Sequence, residues 1–198
     1  VDNLCKNEFD HYRAKAEPHP MFIEHGIDAV PFAHEKMDEW RNNFKGIRHI
    51  NEEAGYNFGG AVDDIWEKPN GDLIVIDVKS TSKNVFDWED TYSKWEYAKG
   101  YRRQLEMYQW LLEKNGFNVA SEGYLVYYNG KKHEPMFNQQ LTFDLHLVKL
   151  ECDNSWVEEA VLSAKATLDG DMPKPSKSCE NCNYLRKRWE VSQKDPNK

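Results

Sequence analysis

Apolar residues along this chain recur with two different periods, and the places where one period gives way to the other mark the elements. Residues 2–16 (DNLCKNEFDHYRAKA) space Leu4, Cys5, Phe9 and Tyr12 at helical intervals with Lys and Arg between them. That predicts a first helix, which the following EPHP ends because proline cannot continue one. VPFAHEKMDEWRNNF, residues 30–44, predicts a second helix with Pro31 near its first turn and Phe32, Met37, Trp40 and Phe44 on its apolar side. GIRHIN, residues 46–51, predicts a short strand, and an apolar hairpin follows with strands at 56–66 and 73–80. SKNVFDWEDTYSKWEY reads as an irregular connection into a long helix over about 97–115, stopped by Asn115-Gly116. A strand at EGYLVYYN, a turn at Asn129-Gly130 and a strand within 139–150 come next. In that last strand Leu141, Phe143, Leu145 and Leu147 alternate with polar residues, so one of its faces meets water. A helix over 154–168 precedes the Pro- and Ser-rich GDMPKPSKS and the tail CENCNYLRKRWEV.

The order helix, helix, hairpin, helix, strand, strand, helix predicts an α/β domain with a central mixed β-sheet flanked by helices. It does not alternate strictly, and no G-x-G-x-x-G follows a strand, which disfavours a dinucleotide-binding domain. The expected organisation is one domain over 1–170 and a linker with a helical, CxxC-bearing tail over 171–198. The first residue is Val1 rather than Met, as expected of a trimmed chain or a fragment.

The hairpin carries the chemistry. On its second strand Leu73, Val75, Asp77 and Lys79 share one face, and Ile74, Ile76 and Val78 share the other. Both faces are apolar as far as Ile76, the pattern of a central strand buried on both sides, and then two charges appear on one face. A buried charge needs a partner, and a divalent cation can serve several aspartates at once. Which of Asp63 and Asp64 joins Asp77 depends on the turn in EKPNGDL. A two-residue Asn70-Gly71 turn pairs Pro69 with Asp72 and sets Asp77 opposite Asp64. A three-residue Pro69-Asn70-Gly71 loop pairs Lys68 with Asp72 and sets Asp77 opposite Asp63. Proline suits the first position of a type I turn and glycine the left-handed third position of the longer loop, so turn chemistry favours Asp63.

These residues, Gly60-Ala-Val-Asp63 followed by Ile76-Asp-Val-Lys79-Ser80, resemble the signature of the PD-(D/E)XK nucleases. The likeness is to the RecB-like exonuclease branch, which includes CRISPR adaptation nucleases and continues with Q-x-x-x-Y on a helix. Gln104-Leu-Glu-Met-Tyr108 stands in that place. The resemblance covers roughly residues 56–130 and implies a restriction-endonuclease-like core and phosphodiester hydrolysis on DNA ends or single strands. It implies that Asp63, Asp77 and the Val78 backbone carbonyl bind Mg²⁺ or Mn²⁺ and that Lys79 positions or activates the attacking water. Gln104 and Tyr108, one turn apart, orient the site or contact DNA. Relatives add a histidine ligand from an earlier helix. Here either His34 or Asp2 stands for it, and both alternatives remain open, since His34 also suits a surface position and Asp2 a helix N-cap.

Composition sharpens this picture at four points. Seven Trp, ten Tyr and nine Phe can build a core, and no apolar run nears the roughly 20 residues of a membrane span. The net charge of −8 excludes a generally basic nucleic-acid coat but allows a local basic groove. Lys94, Trp95, Arg102 and Arg103 lie nearest that groove, ahead of the run Arg186-Lys187-Arg188, which also suits a solvated terminal helix. Only four cysteines and no secretory signal point to a reducing cytoplasm. Cys179 and Cys182 form half of a zinc or iron–sulfur site. RecB-like relatives complete an iron–sulfur cluster with one upstream and a further C-terminal cysteine. That last cysteine is absent, so two free thiols are expected ahead of a cluster.

Overall fold

The computed structural model describes residues 1–194; residues 195–198 of the expected tail lie outside the described residues. In chain order the elements are α1 (Asp2–Arg13), α2 (Pro20–Glu24), β1 (Val30–Pro31), α3 (Met37–Trp40), β2 (Ile47–Asn51), β3 (Tyr56–Gly60) and β4 (Asp64–Glu67). Then follow β5 (Leu73–Thr81), α4 (Trp88–Lys94), α5 (Glu96–Lys114), β6 (Val119–Gly130), β7 (Phe143–Glu151), α6 (Val157–Asp169) and α7 (Glu180–Lys194). The chain divides into two units, Val1–Glu159 and Ala160–Lys198, with the division inside α6.

The first unit is built on a five-stranded sheet in the order β1-β4-β5-β6-β7. Strands β5 and β6 are parallel and the other pairs antiparallel, so the sheet is mixed, as the element order predicts. β5 is its centre, with Leu73 through Ile76 no more than 1% exposed. Ile74 and Ile76 turn to one face, where Cys5 and Phe9 of α1, Met21 and Phe22 of α2, and Trp66 close the core. The other face lies under α5, whose Gln109 side chain donates to the Ala120 and Glu122 carbonyls of β6.

The hairpin register is the one set by the three-residue loop. Ile65 faces Val75 and Glu67 faces Leu73, and Lys68 N–H donates to the Asp72 carbonyl at 3.0 Å. Gly71 sits at φ +86°, a left-handed conformation that costs glycine little.

Four expectations need correction. The helix expected over 30–44 is only α3. Val30-Pro31 is instead the edge strand beside β4, where a residue preceding proline favours extended backbone and a missing N–H costs least. The strand expected over 56–66 is two strands in two sheets, since β3 pairs with β2 and only β4 pairs with β5. The chain changes sheet at Ala61–Asp63. Backbones crowd there so closely that a Cβ on Gly46 would lie 2.4 Å from the Gly60 carbonyl oxygen. Two short helices were read as breaks or loop: α2, begun by Pro20 and capped by His19, and α4, capped by the Asp87 carboxylate on Asp90 N–H. Asn129-Gly130 is not a turn. Gly130 faces Phe143 across a longer loop, and the Asn129 amide instead brackets both backbone groups of Lys83. The tail after Glu180 is helical, as expected.

In the second unit α7 begins just after Cys179, and its Tyr184, Leu185 and Trp189 are exposed.

Candidate active site

The break between β3 and β4 builds the site. Because β4 starts at Asp64, the N–H of Val78 on β5 has no strand opposite it, and the Asp63 carboxylate takes that place, accepting from Val78 N at 2.8 Å. Asp63 is thus fixed beside Asp77 by backbone geometry. Its other oxygen lies 3.1 Å from the Lys6 ammonium of α1, which also contacts Asp2 at 3.1 Å.

Asp77 is 2% exposed. Its Oδ2 lies 2.5 Å from the Lys79 ammonium but makes no geometrically sound hydrogen bond. Burial pushes its carboxyl up to about 6, with Asp63 adding to the rise and Lys79 opposing it. Lys79 also donates to Gln104 Oε1 at 3.4 Å, and Gln104 Nε2 donates to the Tyr108 hydroxyl at 2.8 Å. The Lys79 ammonium lies 4.4 Å from the centre of the Tyr101 ring. Tyr108 in turn packs on the backbone of Gly60, where a Cβ would come within 2.6 Å of its ring. The glycine and the Gln-Tyr pair, distant in sequence, are therefore two halves of one contact.

Asp64 points to the other face. Arg13 and Arg41 reach its two oxygens at 2.5 and 2.6 Å, and Ile65 N–H donates to it at 2.6 Å. Asp10 accepts from both guanidiniums in turn.

Of the remaining sequence candidates, Asp2 is brought to the site through Lys6. His34 is not: it stacks on Trp40 with centroids 4.4 Å apart, and its Nδ1 accepts from Lys36 N–H. Arg102 is committed to Glu106 at 2.9 Å, and Glu106 also holds Trp156 and the Asp153 N–H. Arg103 lies 3.7 Å from Glu96, and Lys94 pairs with Asp90 one turn back. All four cysteines are free. Cys5 is buried against the Tyr128 hydroxyl, and Cys179 and Cys182 contact each other at the start of α7, where Cys182 N–H lowers the Cys179 thiol. Lys6 and Tyr101 were missed, although each lies one helical turn from a residue that was singled out, Asp2 and Gln104.

The donor set suits a hard divalent cation. Among the described residues no three His, Cys, Asp or Glu side chains converge. Two carboxylates, Asp63 and Asp77, lie side by side instead. Mg²⁺ and Mn²⁺ favour oxygen donors, and Mg²⁺ in particular keeps waters and shares a substrate phosphate. Such an ion would satisfy the buried Asp77 oxygen that makes no hydrogen bond.

A mixed sheet flanked by helices, with Asp-x-Lys at the end of its central strand and a second aspartate across the hairpin, defines a nuclease-type fold. A family model described as PD-(D/E)XK nuclease superfamily matches residues 1–186, and the chain belongs to that superfamily. Neither a curated protein nor a solved structure matches it significantly. No helix among the described residues is long and apolar enough to cross a membrane.

Proposed function

We propose that this chain is a metal-dependent deoxyribonuclease of the RecB-like branch that hydrolyses phosphodiester bonds at DNA ends or in single strands. The observation that carries the reading is the Asp77–Lys79 pair at the end of a buried strand with Asp63 hydrogen-bonded beside it. Asp63, Asp77 and the Val78 carbonyl would hold Mg²⁺ or Mn²⁺. The ion supplies a bound water of lowered pKa and neutralises charge on the phosphate. Lys79, steered by Gln104 and steadied over Tyr101, orients the water and stabilises the developing phosphorane charge. Tyr108 fixes the Gln104 amide, so the lysine approaches from one direction only.

The test is digestion of labelled single-stranded DNA, duplex DNA and RNA with Mg²⁺ or Mn²⁺. Asp77→Ala and Lys79→Ala are each expected to lower cleavage by about 10²-fold or more. A second reading, a catalytically quiet nucleic-acid-binding domain, draws support from the Lys6 ammonium already seated on Asp63. Binding without cleavage under either metal selects it.

A further inference from the structure

The first turns of α5 and the residue before it carry aromatic side chains that the fold does not use as core. Trp95 is 54% and Tyr97 48% exposed, side by side with centroids 6.1 Å apart. The line continues to Tyr101 at 5.7 Å from Tyr97, and the Tyr101 ring lies 4.4 Å from the Lys79 ammonium. An unbroken row of rings thus runs from solvent to the lysine of the site. The backbone holds its outer end, because Trp95 N–H donates to the Thr91 carbonyl and the Trp95 carbonyl accepts from Ala98.

Beside this row is a cavity of about 210 Å³ lined by Trp88, Tyr97, Tyr101 and Tyr127 together with Lys79 and Lys83. Lys83 hydrogen-bonds the Thr91 hydroxyl at 2.5 Å, and among the described residues no carboxylate lies within 4.0 Å of its ammonium. In a chain of net charge −8, a half-buried cation without a counter-ion marks a place for an anion. Exposed π-faces and an uncompensated cation together suit unpaired bases joined by phosphates. Bases in a duplex have no free faces to offer such a row, and stacking tolerates any base.

We propose that Trp95, Tyr97 and Tyr101 form a base-stacking track that guides single-stranded DNA to Lys79, with Lys83 taking a backbone phosphate. The direction of travel rests on the nuclease reading of Asp63, Asp77 and Lys79. The track itself is tested by binding alone. Affinities for a fluorescein-labelled oligothymidylate and for a blunt duplex of equal length are measured in EDTA. Trp95→Ala and Tyr97→Ala are each expected to weaken single-strand binding by roughly tenfold and to leave duplex binding nearly unchanged. Trp95→Phe keeps a ring and most of the affinity. Lys83→Met lowers the salt dependence by about one phosphate contact. Unchanged single-strand affinity in both alanine variants, an equal loss for the duplex, or failure of the unaltered protein to bind the single strand overturns the track. A protein that binds the single strand through these rings yet cleaves nothing with Mn²⁺ supports the track and ends the nuclease reading.

Discussion

Asp64 and Asp77 are near neighbours in the hairpin, Asp64 lying directly across from Ile76, yet the fold treats them in opposite ways. Both are buried, 0% and 2% exposed. Asp64 has two guanidiniums and an N–H on its oxygens, and Asp10 binds the same two arginines from behind. Burial pushes its carboxyl up, and Arg41 and Arg13 counter that pressure. Asp77 has one lysine, no sound hydrogen bond on Oδ2, and a second carboxylate beside it that makes matters worse. A buried charge whose lone pairs are satisfied holds a fold together. One left short of donors costs stability and stays available to an incoming ligand. Sequence adjacency conceals this, because the strand period sends Asp63 and Asp64 to opposite faces of the sheet.

Breaking the satisfied side has the larger expected cost. Asp64→Ala strands two guanidiniums in the interior and is expected to destabilise the protein by about 3–5 kcal/mol, measured by urea denaturation. A loss below about 1 kcal/mol would mean that Asp10 alone sustains the clamp. Relieving the unsatisfied side has the opposite sign. The folded carboxyl of Asp77 is raised to about 6 from its ordinary 3.8, so the folded state holds its proton more tightly than the unfolded chain does. That contribution is fully present below about pH 4, is lost as pH rises to about 6, and is absent at pH 7. Asp77→Asn keeps the shape without the charge. It is expected to be more stable than the parent at pH 7 by about 2–3 kcal/mol, with the gap closing at low pH. Denaturation series across that window check it, and an Asn variant less stable at pH 7 refutes it. On the nuclease reading the same substitution is expected to remove cleavage, which would separate stability from activity at one residue.

How much of this was legible in the sequence follows from what each feature depends on. The central strand, its two faces and the three-residue loop are local, and period-two alternation with Pro69 and Gly71 was enough to place Asp63 beside Asp77. The means of placing it was not legible. Asp63 reaches Val78 because the chain leaves one sheet for another at Ala61, and that break depends on Gly46 and Gly60 meeting at close range. Val30-Pro31 was misread because Pro31 suits a helix start as well as an edge strand, and only the partner β4 decides between them. The Asp64 clamp draws on Arg13 and Arg41, neither singled out from the sequence, since nothing local marks a surface-type residue as half of a buried pair.

The contrast can be sharpened at Gly60, which touches the open side only. A methyl group there would meet the Tyr108 ring at 2.6 Å, and that ring is 9% exposed with little room to retreat. Gly60→Ala is therefore expected to displace Tyr108, then Gln104, then the aim of Lys79. Stability should fall by about 1–3 kcal/mol, the usual result of overpacking, and cleavage by roughly tenfold to a hundredfold. Pairing it with Tyr108→Ala makes the test specific. If the clash is the cause, the double variant recovers most of the stability that Gly60→Ala loses relative to Tyr108→Ala. If the losses simply add, the Tyr108 ring is not what the new methyl group disturbs.

The smallest expected effect lies at Lys6, where the two regions come nearest to sharing a rule. Its ammonium bridges Asp2 and Asp63 at 3.1 Å each. Burial works against that charge, but the two carboxylates win and hold Lys6 above its ordinary value. Like the arginines on Asp64, it satisfies an aspartate. Unlike them, it sits on a carboxylate that the proposed nuclease reading gives to a divalent cation. Lys6→Met should therefore lower the stability of the metal-free protein by no more than about 1 kcal/mol, as for partly exposed ion pairs, and tighten apparent Mn²⁺ affinity severalfold. Calorimetric titration with Mn²⁺ reads both signs, because the stability deficit should shrink as the metal saturates. Weaker Mn²⁺ binding in the variant would show that the ammonium organises Asp2 and Asp63 for the ion rather than competing with it, and would move Lys6 to the structural side of the comparison.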